Sequence, residues 1–218
     1  MKKIYFILAL AAAMLFAAEA NAQIGLGLGY HLFNSVQKED GQKNSNELNG
    51  FYVEATYDIN FLEKLWGNIG IQPGLRFSYA GSFDRAEVYG VPAKSSWNET
   101  YFDVPVFVKY SQDFGDLGFF AFAGPIFSCG LSSHSKTSVN DTSTKINVIS
   151  TKINLYEGDS EYGRFDMKLG VGVGVTGMDC FNVKVGYNIG MLNRYTGNVR
   201  DLSYRTGVFY VGIGYFFD

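Results

Sequence analysis

The chain has 218 residues, 47% of them hydrophobic, a formal net charge of −3 at neutral pH and two cysteines. That length suits one domain with a sizeable core, the weakly acidic balance argues against nucleic acid as a partner, and two cysteines exclude a disulfide scaffold. The 26 glycines, 15 tyrosines and 19 phenylalanines, against four prolines, point to an all-β chain with many turns.

Lys2 and Lys3 precede an apolar run from Ile4 to Ala18, and Ala20-Asn21-Ala22 offers an A-x-A cleavage site. Residues 1–22 are therefore expected to be a cleaved signal peptide, leaving 23–218 as one domain that begins at Gln23. The run is too short and wrongly flanked for a membrane anchor, and no cysteine follows the cleavage site to carry lipid.

Beyond the leader no segment keeps a 3.6-residue period, whereas period 2 recurs in eight runs near 23–33, 50–59, 67–80, 100–111, 118–128, 164–177, 180–191 and 205–217. In the second run Phe51, Val53, Ala55, Tyr57 and Ile59 share one face, opposite Tyr52, Glu54, Thr56 and Asp58. The third sets Ile69, Ile71, Leu75 and Phe77 against Gln72 and Arg76. The fourth sets Phe102, Val104, Val106 and Val108 against Asp103 and Lys109. The sixth sets Val171, Val173 and Val175 against Asp166, Lys168 and three glycines, and the seventh sets Val183, Val185 and Tyr187 against Lys184. The fifth run is apolar on both faces, so its facing stays open.

Connections alternate strictly between long (34–49, 81–99, 129–163, 192–204) and short. An up-and-down meander with turns at one end and loops at the other produces that alternation, and each run is long enough to cross a bilayer when tilted. The expected fold is an eight-stranded antiparallel up-and-down transmembrane β-barrel with its apolar face toward lipid. Tyr57, Tyr79, Tyr101, Tyr110, Tyr187, Tyr215 and Phe217 gather near run ends, where interface girdles would lie. The lumen would then receive Glu54, Asp58, Asp103 and Asp166 against Arg76, Lys109, Lys168 and Lys184. Four charges of each sign suit a narrow interior in which buried ions must pair.

The stretch Tyr101-Phe102-Asp103-Val104-Pro105-Val106-Phe107-Val108-Lys109-Tyr110 resembles the aromatic-x-Asp/Glu-Ile/Val-Pro-x-x-x-Lys-Tyr strand of PorT-like outer-membrane β-barrel proteins. Ala123-Gly124-Pro125, Phe165-Asp166, the stretch from Tyr187 to Leu192 and the tail Gly212 to Phe217 are similar to later strands of that family. The resemblance spans the mature chain and implies a small barrel in a bacterial outer membrane, with some members tied to secretion. Asp218 departs from the pattern, because such barrels usually end on an aromatic residue.

No catalytic, cofactor or metal residues are expected. Hydrolytic chemistry commonly needs a histidine base; His31 has no Ser/Asp partners in view, and His134 lies in a Ser/Thr-rich loop. Glu157-Gly158-Asp159-Ser160-Glu161 lacks the ligand count of a calcium loop. Cys129 and Cys180 fall at opposite ends of the barrel and cannot bridge. Gly172-Val173-Gly174-Val175-Thr176-Gly177 matches G-x-G-x-x-G, but no helix follows, so no nucleotide is expected.

The function expected is non-enzymatic: a closed barrel in contact with outer-membrane lipid, with 129–163 displayed to a surface or secretion protein. Within that loop the near-repeat Thr-Lys-Ile-Asn at 144–147 and 151–154 alternates in both copies, suggesting a β-hairpin above the membrane. Two alternatives stay open: a soluble periplasmic lipocalin-like barrel binding a small apolar ligand, and an outer-membrane enzyme.

Overall fold

In a computed structural model the described residues are 22–39, 42–64, 67–88, 91–140, 147–154, 156, 162–178, 180–197 and 202–217. Residues 1–21 of the proposed leader, Asp218 and the acidic cluster 157–161 lie outside them, and Ala22 of the cleavage site is the first described residue. Nine strands are described: β1 (Ala22–Glu39), β2 (Gln42–Lys64), β3 (Gly67–Val88), β4 (Val91–Phe114), β5 (Leu117–Asn140), β6 (Asn147–Asn154), β7 (Phe165–Gly177), β8 (Phe181–Gly190) and β9 (Ser203–Phe217). All pairings are antiparallel. Eight strands close a ring, because β1 pairs with β9 and β4 with β5. β6 stands outside the ring, on the upper part of β5, where His134–Asn140 pair with Asn147–Asn154.

Alternation decides which face is wet. Leu26, Val53, Leu75, Val108, Val173, Val185, Val211 and Ile213 all point outward and are exposed, while the residues alternating with them are buried or half-buried. A soluble barrel with an apolar interior would show the reverse, so the lipocalin-like alternative is contradicted by the facing of every ring strand. The run 118–128, whose facing periodicity left open, resolves cleanly: Phe120, Phe122 and Ile126 point inward and Phe119 and Phe127 outward. Inside, Tyr52, Phe107, Phe120, Phe122, Ile126 and Tyr210 form one apolar cluster.

Short turns lie at the end that carries both Ala22 and Phe217. Between β4 and β5 the turn is two residues long, with Gly115 at φ +66°, the left-handed value that a glycine-first hairpin turn requires.

Three expectations are corrected. Tyr101 does not join an interface girdle: it shares parity with Asp103, points inward and is 2% exposed. An aromatic at a strand end is ambiguous, and here the period-2 rule outweighs position. The described residues of 34–49 and 81–99 are strand rather than loop, because β1–β2 and β3–β4 keep pairing up to Glu39↔Gln42 and Val88↔Val91. Finally, the β-hairpin expected in 129–163 is formed, but its first arm is the continuation of β5. Its second arm is β6, which holds Thr151–Asn154, while 144–146 lie outside the described residues.

Candidate functional site: the filled lumen and the outer mouth

Cross-strand register builds the lumen network. Glu54 lies opposite Arg76 in the β2–β3 pair, and Arg76 lies opposite Asp103 in the β3–β4 pair. A slip of one residue would turn all of them to lipid. At the middle of the barrel Arg76 donates to Glu54 Oε2 through Nε at 3.1 Å and through its terminal nitrogen at 2.8 Å. Lys184 pairs with the other oxygen of the same carboxylate. The guanidinium lies 4.5 Å from the centre of the Tyr52 ring and 4.6 Å from that of Tyr210, so faces of negative potential line its flanks.

Toward the short-turn end Lys109 Nζ donates to Asp58 at 2.6 Å, and Gln72 donates to the second oxygen at 2.5 Å. Rings of Phe120 and Phe216 cover Lys109 at 4.8 and 4.7 Å. Toward the outer end Lys168 stands 3.6 Å from Asp103. Asp166 takes its hydrogen bond from Thr206 Oγ1 at 2.7 Å, not from a cation. All eight charges named from the sequence therefore face the interior, and seven of them meet in ion pairs. Alternation could not show that aromatic rings fill the space between them.

His31 also points into the lumen, with its ring 6.2 Å from that of Tyr52. Cys129 and Cys180 are unbridged, the first midway along β5 opposite Phe165 and the second in the β7–β8 turn. Among the described residues no group of three His, Cys, Asp or Glu side chains could hold a metal ion.

Above the lumen is a second, polar cluster that sequence reasoning missed. A β-bulge at Leu131 sets Tyr101 opposite Gly130 but Thr100 opposite Ser132. The extra residue reverses parity, so Ser133 and not Ser132 turns inward. Glu99 accepts from the Ser133 hydroxyl at 3.1 Å and from the Tyr101 phenol. Trp97 Nε1 donates to Ser133 Oγ at 3.1 Å.

Arg194 closes the cluster from the segment between β8 and β9. It donates to the Gly163 carbonyl at 3.1 Å, to Tyr101 Oη at 2.9 Å and to Tyr156 Oη at 2.5 Å. Asn193 fixes that segment by accepting from the backbone N–H of Tyr195 at 3.1 Å and of Tyr204 at 2.8 Å. Burial opposes the Arg194 charge, but the oxygens of Tyr101 and Tyr156 and the Glu99 carboxylate outweigh it and hold the guanidinium more firmly protonated than usual. Burial pushes the Tyr156 phenol up, with Arg194 opposing. The warning in the sequence is a local one: Asn193-Arg194-Tyr195 places a cation between polar and aromatic neighbours.

The outer membrane protein beta-barrel domain family matches residues 16–196. Among solved structures the chain is similar to Ail, the attachment invasion locus protein of Yersinia pestis, solved with the heparin analogue sucrose octasulfate. Identity there is 16%, over 90% of this chain and 99% of that one, with a TM-score of 0.47. Neisserial surface protein A gives 13% identity over 88% and 97% of the two chains, with a TM-score of 0.39. The outer membrane enzyme PagL gives 10% identity over 84% and 97%, with a TM-score of 0.44. No curated protein matches the chain.

Proposed function

The chain belongs to the outer membrane protein beta-barrel domain family, and on that premise we propose that it is a non-enzymatic, closed barrel that presents its outer hairpins for recognition. The observation that carries this reading is the filled lumen. An eight-stranded barrel leaves an interior just wide enough for side chains to fill. Here Glu54, Arg76 and Lys184 meet at mid-height beside Tyr52, Tyr210 and Phe122. In planar-bilayer recording the purified protein should give no stable, large single-channel steps, and such steps would overturn the closed-lumen reading.

Several observations support a role outside catalysis. His31 is buried against Tyr52, and its Nε2 has no hydrogen-bond partner among the described residues. Ser133 donates directly to Glu99, and His134, next in sequence, has the opposite parity on β5.

The recognition element in this reading is 129–163, where β5 and β6 form a paired arm beyond the ring, as binding segments on rigid scaffolds often do. Its partner is a surface or secretion protein. A photo-crosslinker placed at Lys136 in living cells should trap one dominant protein, and a smear of abundant envelope proteins would count against docking. The PorT-like affinity of the strand from Tyr101 to Tyr110 and export through a cleaved leader at 1–22 belong to the same proposal. Mass spectrometry of the outer-membrane form should find Gln23 as its first residue.

A further inference from the structure

Between the outer hairpins, above the Phe33–Tyr101 ring stack, opens a cavity of about 290 Å³. It is lined by the aromatic residues Trp97, Tyr162 and Tyr204, by Gln37, and by the charged Glu99 and Arg194. Glu99 and Arg194 are 2% and 3% exposed. The site is concave and aromatic-lined, with buried planar polar groups.

The lining narrows the class of ligand. One buried charge of each sign leaves no excess charge to attract an ion. Each is compensated within the protein: Glu99 takes the hydroxyls of Ser133 and Tyr101, and Arg194 gives three N–H bonds to Gly163, Tyr101 and Tyr156. A guanidinium carries five N–H donors and an ionised carboxylate about four acceptor sites, so both keep capacity for a polar but uncharged guest. Ring faces beside planar donors and acceptors complement a molecule with an apolar C–H face and an edge of vicinal hydroxyls. The volume is at the small end of ligand pockets, which run from about 300 Å³ upward.

We propose that this outer-mouth pocket binds a neutral pyranose, a single sugar ring presented by a glycan or glycolipid at the cell surface. Trp97, Tyr162 and Tyr204 supply stacking faces. Gln37, Glu99 and Arg194 supply the hydrogen bonds that orient the hydroxyls. The site rests on the closed-barrel reading, because the filled lumen is its floor. A conducting barrel would sink that reading, whereas a silent barrel that ignores sugars would sink only this one.

The test uses the full mature chain in a detergent without a sugar headgroup, lauryldimethylamine oxide. The chain has two tryptophans, so a Trp66→Phe background makes Trp97 the sole reporter. Glucose, galactose, mannose and N-acetylglucosamine are titrated beside glucuronate, glucose 6-phosphate and glycine. The expected result is saturable change in Trp97 fluorescence with at least one neutral sugar at a Kd of roughly 0.1–10 mM, a usual weak single-site affinity. Gln37→Leu and Tyr162→Ala should each weaken it about tenfold, equivalent to about 1.4 kcal/mol, while the protein keeps its heat-modifiable gel shift. No saturation by any neutral sugar up to about 100 mM, saturation only by the charged probes, or undiminished binding in both folded variants would each overturn the proposal.

Discussion

Gly172 has no room for a side chain: a Cβ there would lie 2.3 Å from the tip of the Phe122 ring on the neighbouring strand. Gly174 stands in the same relation to Phe120. The G-x-G-x-x-G spacing is thus a pair of shelves on which lumen phenylalanines rest, with Val173 and Val175 facing lipid. Overfilling a packed interior costs about 1–3 kcal/mol, so Gly172→Val should lower unfolding stability in vesicles by that amount. Phe122→Ala should recover part of it in the double variant, and additivity would show that the two do not touch. Glu54 is the other decisive residue, because two cations share its carboxylate. Glu54→Ala should cost about 3–5 kcal/mol by stranding Arg76 and Lys184, measured by denaturant titration of the refolded barrel. The charges were readable because each interrupts an apolar alternation. Phe120 and Phe122 were not, since their strand is apolar on both faces, and Tyr101 was misplaced because an aromatic near a strand end fits either the girdle or the interior.

The membrane-crossing parts of the strands were legible for one physical reason: lipid on one side and packed polar groups on the other enforce period 2. Beyond the bilayer the outward face of a hairpin meets water instead of lipid, the apolar contrast weakens, and 34–49 and 81–99 read as loop although their described residues stay paired. The bulge at Leu131 was equally silent, because a parity change inside a Ser/Thr-rich stretch alters no hydrophobic pattern. That one inserted residue is what sends Ser133 to Glu99. Amide hydrogen exchange separates the two descriptions. Val36↔Ser45 and Phe83↔Ser96 sit in continuous ladders, so amides in these segments should exchange far more slowly than those of an unfolded peptide. Exchange at unfolded-peptide rates across 34–38 and 82–88 would restore them to loops.

At the scale of the molecule, a narrow ring of eight strands with β6 set beside it places apolar side chains around the outside, paired charges and aromatic rings within, and a polar aromatic mouth at the end away from the short turns. This arrangement follows from membrane chemistry, since a closed antiparallel ring leaves no backbone edge unpaired in lipid. Fold and environment could therefore be read along the chain. The outer mouth could not, because Trp97, Tyr156 and Arg194 come together only after closure brings β4, the end of 129–163 and the segment after β8 to one place. Everything above depends on which face of the ring meets lipid. The direct measurement places single tryptophans in a Trp66→Phe, Trp97→Phe background, at Phe209 on the outer face and at Phe107 in the lumen, and reads quenching by brominated phospholipid. Strong quenching at 209 with little at 107 is the predicted result; stronger quenching at 107 than at 209 would contradict the inverted barrel and everything built on it.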